Sequence, residues 1–514
     1  MKTFIERGDA AMGIEFGSTR IKVVLIDDKF SVIGEGAHDW ENELSGDIWS
    51  YSMEAVENGL RDAYAKCAAD VESKYGAKIT RLKALGISGM MHGYLPFDAN
   101  GNILVPFRTW RNVMTGQAAA ELSELFKFNI PQRWSIAHYY QAMLNNEPHI
   151  QSVDNLTTLA GYVHRRLSGE NVLGVGEASG MFPVDPATGT YNARMVAAFN
   201  AKTGGDIIEL LPRVLRAGEC AGTLTDEGAK WLDPSGVLQA GALMAPPEGD
   251  AGTGMVATNA VAPRTGNVSA GTSIFAMAVL DEPMKGYYPE IDVVTTPTGL
   301  EVAMVHCNNC TNEINAWSDL FRTAIDRSSP SPAVNVYDIL FNESLNGDAD
   351  CGGIVVVPFL SGEPVTGVED AMLRVVRKPG TNFTLANFAR ANIYSAFAAL
   401  KLGMEKLSSE GITIDMMMGH GGIFKTPGVA QQYLADALKT PVACMKTASE
   451  GGPWGMAVLA AYASRRTEGE TAKLEDFLAK SVFAGAEFSV CHPIEEGVAG
   501  FAAYVDNFKE AIHA

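Results

Sequence analysis

Two short stretches in opposite halves of the chain share one plan. In GIEFGSTRIKVVLID (13–27) an apolar run ends at Gly17-Ser18-Thr19, and a second run, Ile21 to Ile26, follows. In GNVSAGTSIFAMAVL (266–280) an extended segment meets Gly271-Thr272-Ser273 before an apolar run resumes. β-Branched residues suit a pleated surface and glycine suits a tight reversal, so each stretch reads as a hairpin. Two copies of one hairpin plan point to a duplicated architecture. A chain of 514 residues exceeds what one core supports and implies two or three domains.

Between the hairpins, strand and helix signals alternate. ALGISGMM (84–91) is a short apolar strand ending in a loop, and DNLTTLAGYVHRRLSGE (154–170) reads as a helix stopped by Ser168-Gly169. VVVPFLSGE (355–363) is a strand running into a turn. TLANFARANIYSAFAALKLGMEKL (384–407) is the clearest helix. Thr384 caps it, and Leu385, Phe388, Ile393, Ala396, Leu400, Met404 and Leu407 form one buried stripe. MMMGHGGIFKTPG (416–428) is strand, Gly-rich turn and loop, and GGPWGMAVLAAYA (451–463) opens a small-residue helix. This alternation gives an α/β class. Prolines and glycines interrupt the pattern in MAPPEGDAGTG (244–254), which divides the chain into domains 1–249 and 250–514.

Bulk composition narrows the function. Hydrophobic content of 47% and charged content of 19% are those of a folded protein. A net charge of -20 argues against nucleic acid and anionic membrane as partners, since both require a positive field. The opening MKTFIERGDAAMG lacks the apolar stretch of a signal peptide, and no apolar run reaches membrane-spanning length. Seven scattered cysteines fit a reducing cytoplasm better than a disulfide framework. Cys307 and Cys310 have no second ligand pair nearby and read as core thiols rather than a zinc site.

Three Gly-rich turns are candidates for phosphate contact: Gly17-Ser18-Thr19, Gly271-Thr272-Ser273 and Gly419-His420-Gly421-Gly422. Such turns let backbone N–H groups approach phosphate oxygens, and hydroxyls add donors. The dipeptide Gly-Lys is absent, so no P-loop competes, and no dinucleotide fingerprint follows a strand. Asp250, just ahead of a helix signal, has two compatible readings. It caps the helix, or its carboxylate takes the proton from a hydroxyl nucleophile. His92, in SGMMHGYLPFD, is either a satisfied core histidine or, with Trp110, Arg111 and Asn112, part of a donor-rich polyol site.

Taken together and in order, the first hairpin, MHG, TWRN, GDAGTG, SAGTS, PFLSGE, GHGG and EGGPWGMAVLAA resemble the FGGY family of carbohydrate kinases, within the sugar kinase–actin–Hsp70 superfamily. The resemblance covers nearly the whole chain. It implies two RNase H-like (actin-like ATPase) domains facing each other across a catalytic cleft, with ATP and Mg²⁺ bound above a sugar. It assigns Asp250 as catalytic base, and Gly17, Ser18, Thr19, Gly271, Thr272 and Ser273 as phosphate contacts. Gly421 and Gly422 would lie against the nucleoside, while His92, Trp110, Arg111 and Asn112 would line the sugar pocket. The family pattern has Asp before the first turn. This chain has Glu15, which with Asp250 is expected to face the metal.

Other departures concern the sugar. Xylulokinase-like members read Gln-Met-His-Gly and Trp-Asn-Asp, where this chain has Met90-Met91-His92-Gly93 and Trp110-Arg111-Asn112. The combination is most similar to the arabinose-utilising branch and implies L-ribulose as substrate, with D-xylulose as the alternative. Glu313, in CNNCTNEINAW, reads as a second sugar ligand or as a solvated helix position. A homodimer is the assembly common in this family. A different class, a nucleotide-switched ATPase without a sugar acceptor, is disfavoured by the MHG and TWRN loops.

Overall fold

A computed structural model describes residues 1–328, 334–445 and 451–513. Glu450, the first residue of the last motif above, lies outside the described residues. The strands that matter here are β1 (Ala11–Phe16), β2 (Arg20–Ile26), β3 (Val32–Asp39), β4 (Ala84–Gly89), β5 (Leu243–Met244) and β6 (Glu248–Gly249). They are followed by β7 (Thr265–Ala270), β8 (Ile274–Val279), β9 (Glu301–Cys307), β10 (Met416–His420) and β11 (Val442–Met445). The principal helices are α1 (Met53–Tyr75), α2 (Asp250–Ala257), α3 (Leu385–Ser409) and α4 (Gly452–Thr467).

Both predicted hairpins form. β1 pairs antiparallel with β2, β2 with β3, and the other edge of β1 runs parallel to β4, which is parallel to β5. β7 repeats the pattern: antiparallel to β8, with β8 antiparallel to β9, and parallel to β10, with β10 parallel to β11. The duplication read from two short turns is therefore a duplication of whole sheets.

Compactness divides the chain into two units. The first comprises Met1–Val261, Val293–Glu301 and Ser449–Gly485, and the second comprises Ala262–Asp292, Val302–Ala448 and Ala486–Ala514. A single cut at 249/250 does not describe them, because α2 and α4 both belong to the first unit. The physical reason is close packing of α4 on β1. A Cβ at Gly13 would lie 2.0 Å from the Pro453 carbonyl oxygen, so helix and strand backbones touch.

Each unit has its own core. Ile14, Phe16, Val23, Leu25 and Ile87 are buried in the first, and Val268, Ala276, Val305, Phe397 and Leu400 in the second. Burying a Leu, Ile or Phe side chain contributes about 1.5–3 kcal/mol. α3 begins as expected, with the Thr384 hydroxyl accepting the Asn387 N–H at 3.1 Å. Its stripe starts one turn late, since Leu385 is 42% exposed. The remaining predicted positions are buried, as are Tyr394 and Phe397 between them, so α3 runs through the core instead of along its surface. The segment 154–170 is not one helix: a strand, Asn155–Thr157, precedes the helix Leu159–Ser168. Gly169 ends that helix in the left-handed conformation, as read from the sequence.

None of the seven cysteines is in a disulfide, and Cys307 and Cys310 are buried. Among the described residues no helix is long and apolar enough to cross a membrane.

Candidate functional site

In the first unit, carboxylates stand at the ends of β1 and β6, on either side of β4. Glu15 is opposite Ser88 across the parallel β1–β4 pair, and Glu248 is opposite Ser88 on the other side. Two residues after Glu248 comes Asp250, the first residue of α2; the capping position belongs to Gly249. The cap reading is thus corrected by one residue. The Asp250 carboxylate accepts the N–H of Ala251 at 2.9 Å and that of Met91. The second of these bonds ties the GDAGTG segment to the MHG loop.

These acids differ in access. Glu248 and Glu177 are fully buried, whereas Glu15 and Asp250 keep part of their surface open. Burial pushes Glu248 up to about 8, even though it accepts the Glu177 N–H at 3.0 Å. Burial, with Glu248 and Asp250 adding to it, holds Glu177 well above the carboxylate range. Asp250 is pushed up to about 6 by burial, opposed by the N–H groups it accepts. Glu15 is pushed up to about 7 by burial and then by the negative charge of Asp250. A base poised near neutrality is suited to taking a proton from a hydroxyl. Glu177 and Glu248 were not singled out from the sequence. The one available signal was a second acid two residues before Asp250.

Glu15 also meets the start of α4. A Cβ on Gly452 would fall 1.5 Å from Glu15 Oε2, so a side chain there would displace the Glu15 carboxylate.

The first turn is held by aromatic donors. Gly17 donates its N–H to the Arg20 carbonyl at 3.0 Å. The Gly17 carbonyl accepts the Trp40 indole N–H at 2.7 Å, and the Ser18 carbonyl accepts the Tyr51 hydroxyl at 2.6 Å. In a trans peptide the C=O and the following N–H point in opposite directions. The N–H groups of Ser18 and Thr19 therefore face away from Trp40 and Tyr51.

The expected sugar-pocket residues fall into different settings. His92 is buried, with φ +70°, and its Nδ1 lies 3.1 Å from the Gly180 carbonyl. Burial, reinforced by Arg133, lowers it to about 3, so the imidazole is neutral. Nδ1 must carry the proton to donate to a carbonyl, which leaves Nε2 an acceptor. Trp110 is 38% exposed and donates its indole N–H to Ser18 Oγ at 3.2 Å, joining TWRN to the first turn. The Arg111 guanidinium lies over the rings of Trp49 (4.8 Å) and Trp110 (5.8 Å) and donates to Asn42 Oδ1. Asn112 is buried, its Oδ1 accepting the Trp49 N–H and its Nδ2 donating to the carbonyls of Trp49 and Thr109. Its amide is thereby committed to backbone, and of the four it is the one that shapes the loop.

In the second unit, Gly271 donates to the Ser273 carbonyl at 2.9 Å within the β7–β8 turn. Gly421 has φ +120°, and a Cβ there would lie 2.1 Å from the Ala270 carbonyl, so the GHGG turn rests on the end of β7. Gly422 opens a short 3₁₀ turn, with no neighbour within 4 Å of where its Cβ would be. Glu313 lies in the first turn of the helix Asn312–Ser328 of this unit and accepts the Trp317 indole N–H at 3.0 Å. The structure gives it an intrahelical partner.

The Glu15–Asp250 pair suits a hard divalent cation. It offers carboxylate oxygens whose mutual repulsion a cation relieves, and Mg²⁺ needs only one or two carboxylates besides water and substrate phosphate. Among the described residues no cluster of three or more His, Cys, Asp or Glu forms a metal cage.

Comparison with known proteins gives the family and the fold. Residues 10–238 match the N-terminal domain of the FGGY family of carbohydrate kinases, and residues 266–464 match its C-terminal domain. A xylulose kinase of Haemophilus influenzae is 23% identical over 494 residues, covering 89% of this chain and 91% of that protein. The fold is shared with the crystal structure of xylulose kinase from Rhodospirillum rubrum (TM-score 0.77, 17% identity, 98% of each chain). It is shared equally with a gluconate kinase from Lactobacillus acidophilus (TM-score 0.77, 15% identity, 98% of this chain and 97% of that one). The two domain matches span most of the sequence, and the chain belongs to the FGGY family of carbohydrate kinases, ATP-dependent enzymes that phosphorylate sugars.

Proposed function

We propose that this kinase phosphorylates a 2-ketopentose on its terminal hydroxyl, with D-xylulose ahead of L-ribulose. The observation that carries the reaction is Asp250: a partly open carboxylate, raised to about 6, tied through the Met91 N–H to the loop that bears His92. The order of sugars rests on the relatives. The H. influenzae protein matched over 89% of this chain is a xylulose kinase, so the L-ribulose reading taken from the MMHG and TWRN departures falls to second place.

In this reading the first unit carries the sugar residues and the second unit the nucleoside residues. Asp250 accepts the proton as the sugar O–H breaks and its oxygen attacks the γ-phosphorus of ATP, with ADP as leaving group. His92 Nε2, an acceptor, orients a sugar hydroxyl, and Arg111 and Trp110 offer donors. Gly17, Ser18 and Thr19 present N–H and hydroxyl donors to phosphate, as do Gly271, Thr272 and Ser273. Gly421 and Gly422 lie against the nucleoside. Glu15 and Asp250 would hold Mg²⁺, through carboxylate or water, and the ion would supply charge neutralisation at the phosphates. The remainder of the work is positioning.

The test is coupled ADP release with Mg-ATP against D-xylulose, L-ribulose, D-ribulose, L-xylulose and glycerol, with a no-sugar control. Dominant turnover of D-xylulose is expected. Dominant L-ribulose restores the sequence-based order, and no ketopentose above the control overturns the proposal.

A further inference from the structure

The second unit contains a buried carboxylate that the reaction as described does not use. Glu363 ends the PFLSGE segment, just after the strand Val355–Phe359, and is fully buried. Its Oε2 accepts two N–H groups from one residue, the Asn309 backbone at 3.2 Å and the Asn309 side chain at 3.1 Å. Asn309 answers with its own Oδ1, which accepts the N–H of Leu360 at 2.8 Å and of Ser361 at 3.3 Å. Asn308 adds a bond to the Gly362 carbonyl at 2.7 Å. Residues 308–309 and 360–363 are thus laced together, with Glu363 the charged member.

The next two residues reach the phosphate turn. The Cys310 N–H donates to the Thr272 carbonyl at 3.0 Å. The Thr311 N–H and hydroxyl donate to the Gly271 carbonyl at 3.2 Å and 2.8 Å. With both carbonyls drawn toward residues 310–311, the N–H groups of Thr272 and Ser273 belong to the same two trans peptides and point the opposite way. Successive N–H groups aimed outward from a turn are what an anion needs.

We propose that Glu363, acting through Asn309, is a positioning residue for the phosphate turn of the second unit. It holds the 308–311 loop at the height at which Cys310 and Thr311 orient the Gly271–Thr272 and Thr272–Ser273 peptides. The inference rests on the reading of Gly271–Ser273 as a phosphate contact and adds the residue that sets its geometry. Burial raises Glu363 to about 7, opposed by the Asn309 bonds, so the surroundings give it little solvation besides Asn309 and neighbouring backbone. Glu363 touches no substrate in this account.

The test is calorimetric titration of the full chain with Mg-ADP, alongside steady-state kinetics on the preferred sugar. Glu363→Ala is expected to weaken ADP binding and raise the KM for ATP by about tenfold, the loss typical of a charged hydrogen bond. The KM for sugar should stay within about twofold, a split that general destabilisation does not give. Glu363→Gln keeps an acceptor oxygen and should recover most of the ADP affinity. Asn309→Ala, which leaves Glu363 in place, should reproduce the Glu363→Ala defect and serves if Glu363→Ala does not fold. ADP affinity unchanged in a folded Glu363→Ala or Asn309→Ala variant overturns the inference alone. An unaltered chain that binds no ADP overturns the phosphate reading and the inference together.

Discussion

The two hairpin turns have the same sheet plan and nearly the same residues, Phe-Gly-Ser-Thr at 16–19 and Ala-Gly-Thr-Ser at 270–273. Their carbonyls are drawn back by different means. In the first unit the donors are side chains, the Trp40 indole and the Tyr51 hydroxyl. In the second they are the backbone and hydroxyl of a loop, Cys310 and Thr311. The residue two before each glycine differs as well: Glu15 in the first, Ser269 in the second. What is common is the outward N–H pair, and what differs is the strand residue ahead of the turn, an acid in the first and a serine in the second. In the function proposed above, duplication keeps the phosphate device and places the proton-handling and cation-binding groups in the first unit.

Removing the carboxylate chemistry breaks that asymmetry most severely. Asp250→Asn is expected to lower phosphoryl transfer about 10³-fold, as for loss of a general base, while ADP binding by calorimetry changes little. The same variant should melt higher at pH 7. The folded-state value of Asp250, about 6, exceeds its ordinary value of 3.8. Its contribution to stability is therefore complete below about 4 and is lost as pH rises through about 6. Activity runs the other way. A pH–rate profile in kcat/KM should fall about tenfold per unit below about 6, where Asp250 gains its proton. Next in size, Glu15→Gln should raise the Mg²⁺ needed for half-maximal rate on the order of tenfold. Ser269→Ala, at the matching place in the second unit, should leave the Mg²⁺ titration unmoved, and an equal shift in both would erase the distinction. Smallest is Tyr51→Phe, which removes one neutral hydrogen bond from the first turn and should raise the KM for ATP a fewfold. An effect as large as that of Glu363→Ala would show the two supports to be equally stiff.

Local pattern made much of this legible. β-Branched runs around glycine marked both hairpins, and Thr384 marked the start of α3, because these signals are set by neighbours in sequence. The membership of the units was not legible. Nothing in GGPWGMAVLAAYA says that it packs on Gly13 rather than on the strands just before it. In the candidate site, Asp250, Glu15 and the MHG loop were singled out because family motifs lie on or beside them. Glu177, Glu248, Trp40, Tyr51 and the Asn309–Glu363 lacing were missed, since each matters only through a partner far along the chain. Asn112 shows the converse: its residue type suggested a ligand, and its surroundings use it to hold a loop.

The packing of α4 on β1 has a bearing on synthesis. Gly13 and Glu15, two residues apart on one face of the strand, both meet the start of that helix. A ribosome that has released the first 261 residues still holds the segment 449–485 that completes their unit. The second unit in turn waits for 486–514. Domains made of consecutive sequence can fold one after the other as they emerge. Here the face of β1 that α4 covers stays wet until the segment 449–485 has emerged, long after the strand itself was made.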